Sequence, residues 1–190
     1  MLDYIEIFSL VTGVIFIIMQ IFQHKWMWYM QLATAISAII VASFNHLWGS
    51  AALNLFFTVM AFLGIYRWKK MEERSEPDKI HIARLSRKAL PISFSIIFFG
   101  GSLMYFILTR PGASDPYPFL DSITFVLSMV GSYWLTRSYI WQWLVWFIAD
   151  SFGVVLYFSQ GLNGMGILYC VYILSCIIGY INWKKNGVYV

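Results

Sequence analysis

Two stretches of the chain, KWMWYMQLA at residues 25–33 and IWQWLVWFIAD at residues 140–150, each place a Trp-x-Trp pair at the start of a long apolar run. A shift of 115 residues aligns 26–70 with 141–185 without a gap, and nine of the 45 positions are identical. The identical pairs are Trp26/Trp141, Trp28/Trp143, Leu47/Leu162, Gly49/Gly164, Leu53/Leu168, Gly64/Gly179, Trp68/Trp183, Lys69/Lys184 and Lys70/Lys185. Because three matched tryptophans are hard to obtain by chance, the chain contains an internal repeat.

The composition is that of an integral membrane protein. Sixty per cent of the residues are hydrophobic, 12% are charged, and the mean hydropathy is +0.70. A soluble domain with these values would expose extensive apolar surface. Residues 7–23, 26–66 and 89–109 contain no Lys, Arg, Asp or Glu, and residues 138–183 contain only Asp150. Since a membrane span needs about 20 apolar residues, two of these tracts are long enough for two spans each.

The apolar tracts predict seven transmembrane helices. Their expected bounds are 5–23, 26–44, 49–67, 90–108, 119–137, 140–158 and 163–182, with breaks at FNHLWGS and SQGLNG. Runs of this length do not fit the alternating strands of a barrel. A single helix between two three-helix units returns the second unit to the membrane in the same direction as the first. The predicted fold class is therefore an all-α integral membrane protein, with two parallel three-helix repeats joined by a linker helix.

The same pattern predicts five regions along the chain. They are a first three-helix repeat at 1–67, a basic cytoplasmic linker at 68–89, a connecting transmembrane helix at 90–108, an outer loop at 109–118, and a second repeat with a short tail at 119–190. The first apolar run follows no basic region and no small-residue cleavage site, so it is interpreted as a true span. The linker segment KIHIARLSRKAL is either a short basic amphipathic helix on the inner leaflet or a solvated connector.

Lysine and arginine predict the orientation. If the loops alternate between two sides, twelve of the 13 basic residues fall on one side and only Arg110 falls on the other. The positive-inside rule then puts the N-terminus outside and the C-terminus in the cytoplasm. The net charge of +4 reflects this topology, so no nucleic-acid partner is inferred from it.

Asp150 is the only carboxylate well inside a predicted span. It shares one helical face with Trp143, Trp146 and Tyr157, at spacings i, i+3, i+7 and i+14 from Trp143. An ionisable group in a span normally faces a polar cavity or a partner, so this face is expected to line a site for a cationic aromatic ligand. The alternative is an interhelical hydrogen bond with a purely structural role.

The repeat supplies a second criterion for the site. A ligand without two-fold symmetry should make the sequences of the two repeats differ at the positions that contact it. In the aligned repeats, Trp146 corresponds to Gln31, Asp150 to Ala35, and Tyr169 to Asn54. For Asn54 and Tyr172, ordinary helix packing is the alternative. The candidate substrate-binding residues are Trp146, Asp150, Asn54, Tyr169, Tyr172, Gln31 and Trp143.

Other conspicuous residues receive structural interpretations. An aromatic belt at the membrane boundary accounts for Trp26, Trp28, Trp68, Trp141, Trp143 and Trp183. The stripe Thr124, Ser128, Ser132 is assigned to helix packing. His24, His46 and His81 have no metal-binding spacing, and Cys170 and Cys176 fit neither a disulfide nor a zinc cluster, so no metal or cofactor is expected.

The second repeat, WLVWFIADSFGVVLYFSQGLNGMGILYCVYILSCIIGYINWKK, resembles the PnuC family of bacterial vitamin transporters. The residues that match the family pattern are Trp143, Trp146, Asp150, Leu156, Tyr157, Gly161, Leu162, Leu168, Tyr169, Tyr172, Gly179 and Trp183. The segment LVTGVIFIIMQIFQHKWMW is similar to the family's first helix, and Asn54 lies where the third helix often carries Asn. One departure is Gln20, where the family often has Glu, which puts a charged role at that position in doubt.

The resemblance implies a carrier in the bacterial cytoplasmic membrane with the 3+1+3 plan of SWEET-type carriers. Its expected activity is uptake of nicotinamide riboside by facilitated diffusion, followed by trapping through a cytoplasmic kinase that acts on the substrate. Thiamine and riboflavin are the alternative substrates, and a homotrimer is implied. The sequence lacks a G-x-x-x-x-G-K-[ST] loop, so transport is passive or ion-coupled. An intramembrane enzyme would need more than one lone Asp, and a non-transporting membrane scaffold is the other alternative class.

Overall fold

The computed structural model describes residues 2–44, 48–72, 80–111 and 116–189. Within these ranges the chain forms seven long helices and two short strands: α1 (Leu2–Ile21), α2 (Met27–Phe44), α3 (Trp48–Glu72), β1 (Ile80–Ile82), α4 (Ala89–Leu108), α5 (Pro118–Thr136), α6 (Gln142–Ser159), α7 (Asn163–Asn186) and β2 (Gly187–Tyr189). Six helices are long and apolar enough to cross a membrane, and α1 contributes a shorter apolar stretch, Ile7–Ile21. The predicted all-α membrane fold is confirmed. His46 lies outside the described residues.

The two repeats coincide in helix bounds and in turn geometry. The first and last residues of α6 each lie 115 positions after those of α2. The turns that precede these helices contain Gln23 and Ser138, which are also 115 positions apart and have φ values of 52° and 55°. A positive φ is uncommon for a residue with a side chain. The repeat in the sequence is therefore also a repeat of the backbone conformation.

The six repeat helices form a closed ring. Neighbours pack in the order α1, α2, α3, α5, α6, α7, and α7 packs back against α1. The contact of α3 with α5 and that of α7 with α1 are equivalent under the repeat. The connecting helix α4 lies outside the ring against α5, where Trp134 Nε1 donates a hydrogen bond to Ser93 Oγ at 2.9 Å. Its middle turn, Ile96–Gly100, is a π-helix.

Buried tryptophans fill the same place in both repeats. Trp28 and Trp68 make a T-shaped contact with ring centroids 5.1 Å apart, and Trp143 and Trp183 make the equivalent contact at 5.6 Å. The aromatic-belt interpretation is thus wrong for four of the six tryptophans, which lie in the hydrophobic core: Trp28, Trp68, Trp143 and Trp183. The remaining two, Trp26 and Trp141, are exposed as a belt requires.

Two glycines make room for these indoles. A Cβ on Gly64 would overlap the ring of Trp28, and a Cβ on Gly179 would overlap the ring of Trp143. These glycines occupy equivalent positions of the repeats. Their identity is explained by close helix approach, because a methyl group there would push the tryptophan out of its place.

Gly179→Ala is expected to destabilise the protein by about 1–3 kcal/mol, the usual cost of overpacking a filled core. Thermal unfolding in detergent, followed by the monodisperse fraction that remains after heating, measures the effect. Gly164→Ala is the matched control, because α7 has open space around that position. A methyl group there should leave the unfolding temperature unchanged or raise it slightly. Equal stability of the two variants would contradict the packing role of Gly179.

A part of the linker forms a short strand. Residues Ile80–Ile82 pair in parallel with β2, and Ala83 forms an isolated bridge with Tyr139. Ile80 and Ile82 are buried in the main hydrophobic core. Of the two alternatives for the linker segment, the amphipathic helix on the inner leaflet is wrong for these residues, because they form a strand whose three side chains are buried in the protein.

Candidate functional site

A cavity of about 440 Å³ lies inside the ring and takes its wall from all seven helices. Pockets for small organic ligands usually measure about 300–1,000 Å³. The connecting helix α4 contributes only Met104 and Leu108, and the rest of the wall belongs to the two repeats. The cavity is thus large enough for one vitamin-sized molecule.

All seven candidate substrate-binding residues line this cavity: Trp146, Asp150, Asn54, Tyr169, Tyr172, Gln31 and Trp143. Helix α7 presents a row of tyrosine rings in tilted contact, since Tyr169 contacts Tyr172 at 5.4 Å and Tyr157 of α6 at 4.9 Å between ring centroids. The structure brings the seven residues together, and their contact with a substrate stays a prediction.

Asp150 is 6% exposed, and Cys176 Sγ donates a hydrogen bond to its Oδ2 at 3.6 Å. A thiol is a weak donor and carries no compensating charge. None of the described residues that line the cavity is a lysine, arginine or histidine. A buried carboxylate without a cationic partner is costly when ionised, so a positively charged ligand would be stabilised beside Asp150.

The two repeats give the cavity two different walls. The second repeat supplies the acidic and aromatic residues described above. The first repeat supplies no charged residue; besides apolar residues that include two phenylalanines, it contributes the amides of Gln31 and Asn54, the hydroxyl of Thr34, and the methyl group of Ala35. One wall therefore suits a cationic aromatic ring, and the other suits a polar, uncharged group such as a sugar.

Several polar atoms at the cavity are buried and have no hydrogen-bond partner among the described residues. They are Gln31 Oε1, Thr124 Oγ1, Ser132 Oγ, Trp143 Nε1 and Trp146 Nε1. Buried polar atoms are normally paired, so the residues of the cavity wall carry unsatisfied hydrogen-bonding groups. The stripe Thr124, Ser128, Ser132 was assigned to helix packing on sequence grounds, but all three residues line the cavity.

Four of the other lining residues are notable because the sequence did not identify them as candidate substrate-binding residues. Gln20 donates through Nε2 to Gln142 Oε1 at 3.2 Å, and Phe57 contacts Trp146 with ring centroids 6.5 Å apart. Phe16 and Asp121 also line the cavity. Gln20 differs from the family pattern, which was a usable signal, whereas Asp121 lies in the first turn of α5, close to the predicted span boundary. Phe16 and Phe57 are indistinguishable by type from lipid-facing residues.

Comparison with known proteins gives a family match and two relatives. The family model described as nicotinamide mononucleotide transporter matches residues 3–185. The riboflavin/roseoflavin transporter RibM of Streptomyces davaonensis is 25% identical over 178 residues, which cover 91% of this chain and 81% of that protein. The nicotinamide riboside transporter PnuC of Escherichia coli strain K12 is 24% identical over 163 residues, which cover 74% of this chain and 68% of that protein.

A solved structure, the crystal structure of the vitamin B3 transporter PnuC, matches with a TM-score of 0.74 and 21% identity. The match covers 96% of this chain and 81% of that chain. At this level of identity, the likeness establishes the fold.

Proposed function

The chain belongs to the nicotinamide mononucleotide transporter family of membrane transporters, and on that premise we propose that it takes up a cationic vitamin, nicotinamide riboside in the first place, by facilitated diffusion. The observation that carries the proposal is the buried Asp150 in a cavity whose described lining contains no basic residue. This arrangement favours a substrate that brings its own positive charge.

The two walls of the cavity support a specific chemical class of substrate. A pyridinium ring beside Asp150 and Trp146 would gain charge attraction and a cation–π contribution of about 0.5–2 kcal/mol. The ribose hydroxyls would reach the amides of Gln31 and Asn54 on the opposite wall. Nicotinamide riboside carries both a cationic ring and a sugar. Thiamine carries the charge without the sugar.

Riboflavin is the second candidate, because a riboflavin/roseoflavin transporter is among the relatives. Its ribityl chain would suit the part of the wall that the first repeat forms, but its uncharged ring would leave Asp150 without a cation. Calorimetric titration of the purified protein with the three vitamins separates these candidates. Nicotinamide riboside is expected to bind most tightly, and tighter binding of riboflavin would reverse the assignment.

Facilitated diffusion predicts that the protein in liposomes brings the concentrations of labelled vitamin inside and outside to the same value. It should not accumulate the vitamin above that value. A cytoplasmic kinase then traps the vitamin in the cell. The absence of a phosphate-binding loop from the sequence supports transport without nucleotide hydrolysis. Accumulation above equality under a proton or sodium gradient would replace this proposal with ion coupling. The homotrimer implied by the resemblance is tested by the mass of the detergent-solubilised particle.

Trp146→Ala is expected to weaken the binding of nicotinamide riboside by about 3- to 30-fold, the equivalent of the cation–π contribution in affinity. Trp146 lies against Phe57 and above Gly131, where a Cβ would come within 2.9 Å of the indole, so its position is fixed by packing. Isothermal titration measures the change. Trp141→Ala is the control, since Trp141 does not line the cavity. Equal affinities of the two variants would contradict the role of Trp146.

The proposed orientation puts the N-terminus outside and the linker in the cytoplasm. A cysteine introduced at the exposed Pro111 should react with an impermeant thiol reagent added to intact cells, and a cysteine at the exposed Ser86 should react only after the cells are opened. The parent chain, whose cysteines lie within α7, serves as the control. Labelling of Ser86→Cys in intact cells would show that the orientation is the opposite one, with the linker outside.

A further inference from the structure

The strand β1 connects the two repeats at one end of the bundle, which we call the linker face: the α1–α2 turn, the α5–α6 turn, residues 80–83, and β2. On the second repeat, β1 pairs with β2, and Ala83 N–H donates to Ser138 O at 3.1 Å. On the first repeat, the side chain of Gln23 bonds both backbone groups of His81. Its Nε2 donates to His81 O at 2.8 Å, and its Oε1 accepts the N–H of His81.

The attachment to the two repeats differs in kind. Gln23 and Ser138 are equivalent residues with the same positive φ, but Gln23 holds the strand through its side chain and Ser138 holds it through its carbonyl. The second repeat is further tied to β1 by the whole strand pairing. The strand is therefore bonded mainly to the second repeat. The hydrogen bonds described between the strand and the first repeat are those of the Gln23 side chain.

The same end of the bundle is filled by apolar packing. Ile82 is fully buried in one core cluster with Ile21 of α1 and Leu135 of α5. These two residues lie in the last turns of equivalent helices. Just above them, the hydrogen bond between Gln20 and Gln142 spans the two repeats at the cavity wall. A substrate that leaves through the linker face has to pass between these groups.

We propose that β1 is a latch that closes the linker face of the cavity, and that the bonds of Gln23 to His81 break and re-form in each transport cycle. This inference rests on the proposed transport function. Alternating access requires the two repeats to separate at one face of the bundle and then at the other. A strand that is paired with one repeat, and held to the other by the hydrogen bonds of Gln23 and the apolar contact of Ile82, can release on one side without unfolding.

Gln23→Gly tests the latch. Glycine adopts the positive φ of this turn readily, so the turn is retained while both bonds to His81 are lost. The readout uses the native Cys176, which is buried at the cavity wall, in a Cys170→Ser background. A thiol reagent added to the linker face of membrane vesicles should label Cys176 on the order of tenfold faster in Gln23→Gly, since loss of two hydrogen bonds shifts the open population by about that factor.

Ser138→Gly is the matched control. It has the same φ and the equivalent position, and the bond from Ala83 N–H to the carbonyl of residue 138 is independent of the side chain. Its labelling rate should equal that of the parent. The affinity for nicotinamide riboside should change little in either variant, whereas a general loss of folding would lower it in Gln23→Gly. Unchanged labelling of Cys176 in a well-folded Gln23→Gly protein overturns the proposal.

A second experiment holds the latch shut. In a Cys170→Ser background, with the buried Cys176 retained, the pair Gln23→Cys and His81→Cys is joined by a short bismaleimide. Uptake into liposomes should stop, while each variant with only one of the two introduced cysteines continues to transport after the same treatment. Continued uptake by the cross-linked protein overturns the latch. If the parent protein neither binds nor transports a vitamin, the transport proposal fails, and the labelling of Cys176 still reports whether the strand opens.

Discussion

Trp183→Ala is expected to cost about 3–5 kcal/mol of folding free energy and to remove most of the monodisperse protein from a membrane extract, as large-to-small changes at filled core sites do. The side chain is 0% exposed and packs edge-on against Trp143. Its Nε1 donates to the carbonyls of Gln20 and Ile21 at 3.2 and 3.1 Å, which ties the end of α7 to the end of α1. Thermal unfolding of the purified variant measures the loss.

The control for this prediction is Trp141→Ala, in which an exposed indole is removed close to the same end of the bundle. Its unfolding temperature should stay near that of the parent. A sharper comparison uses phenylalanine at the equivalent positions of the two repeats. Trp183→Phe loses the bonds to α1, whereas Trp68→Phe removes a buried N–H that has no partner among the described residues. Trp183→Phe should therefore be the more destabilising, and equal losses would show that the indole bonds contribute nothing.

The sequence predicts the fold because charge is expensive in hydrocarbon. Long tracts without Lys, Arg, Asp or Glu mark the spans, and the 115-residue shift predicts which helices are equivalent. The observed bounds of α2 and α6 differ by that shift at both ends. The repeat also predicts features that hydropathy does not contain, since the tryptophan contacts and the positive φ values recur at equivalent positions.

The sequence does not predict which apolar side chains face lipid and which face protein. Lipid tails and leucine side chains are similar solvents for a ring, so hydropathy cannot separate a belt tryptophan from a core tryptophan. The distinguishing signal is that Gly64 and Gly179 occupy equivalent positions. A glycine at the same position of both repeats indicates that another side chain packs closely against the helix there. Combined with the matched tryptophans, that signal indicates a buried pair in each repeat.

The strand at the linker face has a different origin. A segment of three residues within a basic stretch carries too little local preference to choose strand over helix. Its conformation depends on partners far along the chain, namely Gln23 and the C-terminal strand β2. Such pairings follow from the assembled fold and leave no periodic trace in the sequence.

The sequence predicts seven residues that line the cavity. Polar residues inside spans are rare, so each one is informative, and repeat mismatches narrow the choice further. All seven candidates line one cavity. The phenylalanines of the wall were missed because an apolar residue at an apolar position carries no signal.

Asp150→Asn is expected to weaken the binding of nicotinamide riboside by about 5- to 30-fold. Opposite charges 4 Å apart attract by about 4 kcal/mol at an effective dielectric constant near 20, and desolvation leaves about 1–2 kcal/mol of that in the net affinity. The amide is nearly isosteric with the carboxyl group and can still accept the bond from Cys176, so the fold should be retained. Calorimetric titration of monodisperse protein measures the change, and affinity for a neutral flavin should be unaffected or higher.

Cys176→Ala separates charge from structure at this site. It removes the hydrogen bond to Asp150 and keeps the carboxylate. If Asp150 serves the substrate, Asp150→Asn should lose affinity without losing stability, and Cys176→Ala should keep most of the affinity. If Asp150 serves only the contact between α6 and α7, Cys176→Ala should lose stability, Asp150→Asn should keep it, and both variants should bind the vitamin as the parent does. In that case the carboxylate does not select the substrate, and the amides of Gln31 and Asn54, with the hydroxyls that line the cavity, would have to carry recognition, which favours the ribityl chain of riboflavin over a cationic ring.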